Sequence, residues 1–132
     1  MALFQQNHHA AAIAKMRRQR AKFIKSFNEG KRQRYLQMYT LDATLYDPDL
    51  HVVAGMKSMS DYFSELFEYA QERGRPEMML KSKRTIVKGR FVYDMGEYYW
   101  STVRCGRYIH KWAWINDNYY LTSDRFTIDR LL

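Results

Sequence analysis

Asp47, His110 and Asp124 are the side chains whose type and setting suit proton transfer or ligand binding. Asp47 closes the apolar run from Leu41 to Tyr46 and precedes Pro48, which holds it out of the helical region. Its carboxylate therefore falls at a strand end, where closing an Asp-Pro turn is its ordinary role. His110 lies in an alternating run that groups it with Tyr108, Trp112 and Trp114, leaving Ile109, Lys111, Ala113 and Ile115 on the other face. An imidazole in that company can hydrogen-bond a ligand or be a satisfied core residue. Asp124 is a second candidate pocket acid, with Arg125, Arg104 or a backbone turn as its structural partners.

Metal chemistry has little support. His8 and His9 are terminal, His51 and His110 are far apart, and no cysteine or carboxylate cluster shows ligand spacing, so no metal and no cofactor are expected. Glycine-rich phosphate loops and nucleophile elbows are missing too. Cys105 is the only cysteine, which excludes a disulfide within the chain. It is expected to be a buried, inert thiol in a reducing compartment, the cytoplasm or the nucleus. No apolar run approaches bilayer length, and Met1 to Gln6 is not a signal-peptide pattern.

The elements that must position these groups follow from periodicity. Ile13, Met16, Phe23, Ile24 and Phe27 recur at helical spacing and predict an amphipathic helix from His9 to Phe27, stopped by Asn28-Glu29-Gly30. A short helix over Lys31 to Met38 buries Tyr35, Leu36 and Tyr39, and strands follow at Leu41 to Tyr46 and His51 to Ala54. Gly55 opens a third helix whose stripe is Met59, Tyr62, Phe63, Leu66, Phe67 and Ala70. Four long strands complete the chain: Met78 to Val87, Phe91 to Arg104, Arg107 to Ile115 and Tyr119 to Ile128, with Cys105-Gly106 read as one of the hairpin turns.

At 132 residues and 46% hydrophobic content the chain suits one domain with one core. A net charge of +8 favours anionic partners, and six Lys and Arg residues lie between Lys15 and Lys25, ahead of the first acid, Glu29. Nucleic-acid or membrane contact through this basic first helix is one use of that charge, and an Arg-rich, acid-free beginning also describes a mitochondrial transit peptide. On the outer face of the sheet Tyr99, Val103, Ala113 and Ile115 leave little polarity, so a homodimer through that face is expected.

The order of these elements carries motifs. Tyr35-Leu36-Gln37-Met38-Tyr39 leads into Asp42-Ala43-Thr44-Leu45-Tyr46-Asp47-Pro48, Gly55 precedes its helix, and Tyr120-Leu121 is followed by Asp124-Arg125-Phe126. From about Ile13 onward this resembles the nuclear transport factor 2-like, or SnoaL-like, superfamily. The resemblance implies an α+β fold in which a strongly curved, mixed but mainly antiparallel sheet wraps around N-terminal helices as a cystatin-like cone, spanning residues 1–132. It also argues against the transit peptide, since Ile13 to Phe27 is needed as the first helix.

Such a cone implies an apolar ligand cavity, here expected to be lined by Phe23, Phe27, Leu45, Phe63, Trp100, Trp112 and Asp124. Against ketosteroid isomerase in the same superfamily, Asp47 matches the general base and His110 the protonated aspartate. Phe23 falls where that enzyme has a tyrosine and cannot donate a hydrogen bond. Three functions follow: a homodimer binding a small apolar or aromatic ligand; an isomerase, cyclase or dehydratase using Asp47 and His110; or a protein-interaction module.

Overall fold

A computed structural model describes residues 2–49 and 51–132; Met1, part of the segment weighed as a signal peptide, lies outside them. Helix α1 runs from Ala2 to Asn28, starting well before His9. It buries Ala12, Met16, Gln19, Phe23, Ser26 and Phe27. Gly30, at φ 69°, ends it: its N–H donates to Phe27 O at 3.0 Å and that of Lys31 to Ser26 O at 2.8 Å, satisfying two carbonyls of the last turn. Helix α2 (Arg32–Gln37) and strands β1 (Tyr39–Tyr46) and β2 (Val52–Ala54) precede helix α3 (Met56–Glu72). Strands β3 (Met78–Lys88), β4 (Phe91–Trp100), β5 (Arg104–Ile115), β6 (Asn118–Phe126) and β7 (Arg130–Leu131) follow.

The sheet order is β2-β1-β6-β5-β4-β3, with β7 added to β5. Among the described residues only β1 and β6 pair in parallel; the other neighbours are antiparallel. Register shifts put an extra residue into β3, between Ser82 and Arg84, and into β6, between Leu121 and Ser123, and bend these strands. The helices fill the concavity so formed, and Met16 and Phe23 of α1 and Met59 and Phe63 of α3 are almost fully buried with Leu45, Val92, Trp112 and Leu121 of the sheet. No helix among the described residues is long and apolar enough to cross a membrane.

Three expectations need correction. The β4–β5 turn lies at Ser101 to Val103, where Thr102 has φ 64° and the Val103 N–H returns to Trp100 O, and β5 begins at Arg104. Cys105-Gly106 is therefore strand, not turn. Gly106 is required there for space: a Cβ would lie 2.0 Å from the carbonyl oxygen of Thr127. Val103, counted with the outer face, is buried in the turn, and Cys105 is half-buried rather than buried.

Candidate functional site

One polar row crosses the inner face of the sheet. Thr85 of β3 is opposite Asp94 of β4, Asp94 opposite His110 of β5, and His110 opposite Asp124 of β6, which in turn faces Leu45 of β1. The row holds two separate polar centres.

The first is Asp94, which has no solvent exposure. Its carboxylate accepts from Arg20 at 2.8 Å, Ser82 at 2.7 Å, Thr85 at 3.2 Å and Tyr108 at 2.9 Å. Burial alone would raise its pKa. The Ser82 hydroxyl, the Arg20 charge and the Tyr108 hydroxyl outweigh burial and hold it below the ordinary value. Arg20 thus turns inward to fasten α1 to the sheet, while Lys15, Arg17, Arg18, Lys22 and Lys25 stay exposed.

The second centre is Asp124. The Tyr39 hydroxyl donates to Oδ2 at 2.5 Å, and His110 Nε2 approaches Oδ1 to 3.2 Å. Burial and then the Asp124 charge keep the Tyr35 and Tyr39 hydroxyls well above the usual phenol pKa, so both remain protonated donors. The Nδ1 atom of His110 has no hydrogen-bond partner. A histidine with one nitrogen against a carboxylate and the other unengaged can offer the second nitrogen to a hydrogen-bonding ligand.

His110 and Asp124 line a cavity of about 50 Å³, together with Phe23, Tyr35, Leu45, Phe63, Trp100 and Arg104. Of the side chains expected there, Phe23, Leu45, Phe63, Trp100, His110 and Asp124 are brought together. Phe27 lines a different recess with Phe67 and Ala70, and Trp112 is fully buried behind the wall, edge-on to Phe23. Asp47 does not line the cavity: its Oδ1 accepts the backbone N–H groups of Asp49 and His51, each at 3.0 Å, which is the turn role. The same turn gathers possible ligand atoms of Asp47, Asp49 and His51 within 4.8 Å, a convergence that an expectation built on sequence spacing missed. Sequence reasoning also missed Tyr39 as the donor to Asp124 and Arg104 as a wall of the cavity. Alternation back from His110 through Tyr108 would have put Arg104 on the inner face, had β5 been begun there.

A helix-filled cone of mixed sheet is the cystatin-like fold of nuclear transport factor 2-like proteins. Among solved structures the chain is similar to a nuclear transport factor 2-like protein of unknown function from Shewanella oneidensis, with 13% identity, a TM-score of 0.75, and coverage of 87% of this chain and 98% of that one. It is similar too to such a protein from Novosphingobium aromaticivorans, at 8% identity and TM-score 0.77 over 96% and 88%. A ketosteroid isomerase-like protein from Erwinia carotovora atroseptica matches at 11% identity and TM-score 0.72 over 89% and 95%. No protein-family model matches the sequence, and no curated protein matches it. These likenesses concern the fold.

Proposed function

We propose that this protein binds a small molecule in the cone. The observation that supports this reading is that Arg104, His110 and Asp124, three buried ionisable side chains, lie on the wall of one aromatic cavity. Burying such groups is costly in a core that only has to pack, whereas a ligand site needs a few convergent polar groups on apolar walls. At about 50 Å³ the space is well below the roughly 300 Å³ where drug-sized sites begin, so the ligand is small. The steroid-isomerase alternative loses support, because its implied base, Asp47, is engaged in a turn. Proton transfer at this site would instead fall to His110 with Asp124.

Titrating small neutral molecules, from isobutanol to toluene, into the labelled protein should give saturable NMR shift changes at His110, Leu45 and the Trp100 indole. Changes scattered over the surface, or none, would refute cone binding.

A second reading concerns the outer face. Met79, Tyr99 and Ile109 are 62%, 37% and 46% exposed there. Met95 and Ile109, paired across β4 and β5, line an apolar groove of about 330 Å³ rimmed by Lys83, Glu97, Arg107 and Arg125. A second copy of the chain covering this face would remove that apolar surface from water. Sedimentation equilibrium should give twice the 16.0 kDa chain mass for the wild type and a single chain for Ile109→Glu. A monomeric wild type at tens of micromolar would end this reading.

A further inference from the structure

Building on the cone as a binding site, we propose that its ligand is a small organic monocarboxylate captured by the guanidinium of Arg104. Arg104 is 6% exposed and lines the cavity. It stands opposite Trp100 across β4 and β5, with its guanidinium 3.9 Å from the Trp100 ring centre, 5.6 Å from that of Tyr69 and 5.7 Å from that of Phe126. These rings stabilise the cation through its faces but accept no hydrogen bond in the plane of its N–H donors. Its Nε has no hydrogen-bond partner, and none of the ion pairs among the described residues includes it.

The contrast with the other buried ionisable groups is what makes this informative. Asp94 is matched by Arg20 and three hydroxyls, and Asp124 by Tyr39 and His110. Arg104 brings to the cavity a charge that no carboxylate meets at ion-pair distance among the described residues, and an arginine cannot shed its proton to relieve that. The planar guanidinium matches a carboxylate in two parallel hydrogen bonds. One guanidinium neutralises one negative charge, and the carboxylate of Asp124 on the same wall opposes a second, which selects a monoanion over a phosphate dianion. Phe23, Leu45, Phe63 and Leu66 supply apolar wall for a short hydrocarbon body.

The test compares isobutyrate with its neutral isostere isobutyramide, read by tryptophan fluorescence, since Trp100 stacks on Arg104, and by the His110 resonances. Isobutyrate is expected to bind wild type about 10- to 100-fold more tightly than the amide, the range for a charged hydrogen-bonded pair. That preference should vanish in Arg104→Met and partly return in Arg104→Lys. The carboxylate–amide comparison in wild type needs no variant, so it stands even if Arg104→Met fails to fold. Equal binding of acid and amide, or undiminished isobutyrate affinity in a folded Arg104→Met, overturns charge capture and leaves the cone reading intact. If neither probe binds but toluene does, the carboxylate is likewise overturned; if toluene also fails, the cone reading falls with it.

Discussion

Replacing Asp94 by alanine should cost about 3–5 kcal/mol of folding stability, the range for removing one partner of a buried ion pair. Asp94 is unexposed, and its loss strands Arg20, whose side chain is only 15% exposed, along with the hydroxyls of Ser82, Thr85 and Tyr108. Urea denaturation at neutral pH is the measurement, and a loss under 1 kcal/mol would mean that the network is incidental. The pH dependence follows from the lowered pKa of the folded state. A carboxylate held below its unfolded value, near 3.9, contributes stability that is fully present above that pH and fades as pH falls through the folded value. The gap between wild type and Asp94→Asn should therefore be widest near neutrality and narrow below about pH 4. A gap constant from pH 7 to pH 2.5 would show that the charge contributes nothing.

The second large effect is steric. Gly106→Ala should destabilise by about 3 kcal/mol, the upper end of the usual cost of overpacking. The new Cβ would meet Thr127 O at 2.0 Å and Tyr98 Cε1 at 2.9 Å. Neither neighbour can retreat freely: the Thr127 N–H donates to Arg107 O, and the Tyr98 hydroxyl donates to Thr127 O at 2.6 Å. Cys105→Ala, one residue away on the outer face, is the control and should lie within about 1 kcal/mol of wild type. A difference between the two variants below that margin would mean that the segment after β6 gives way easily.

Much of the fold is legible because its signals are local. The helical stripe from Met59 to Ala70 and the alternation from Tyr108 to Trp114 each need only a dozen residues to be recognised, and both appear on the buried faces they predict. Phe23, Phe63, His110 and Asp124 are legible as cavity residues for the same reason: face and fold together place them. Arg104 is not, because a Cys-Gly pair looks like a hairpin turn, and its strand use depends on how closely Thr127 passes, which is a tertiary fact. The Tyr39–Asp124 bond is hidden in another way, since it needs the parallel pairing of β1 with β6. Asp47 shows the reverse error: likeness to an enzyme offers it a catalytic role, but its short local hydrogen bonds to Asp49 and His51 decide for the turn.

The pairing of β1 with β6 also sets an order of assembly. Tyr39 and Asp124 are 85 residues apart, so the first strand emerges during synthesis long before the strand that will lie beside it. Until then β1 has only the three-residue β2 as a partner, and the apolar stripes of α1 and α3 have at most the β3-β4-β5 part of the sheet to cover them. Closing so long a loop is slow, which makes capture of the first strand by the last the late step of folding. A ribosome stalled before β6 would hold a sticky, open half-cone, a natural client for chaperones.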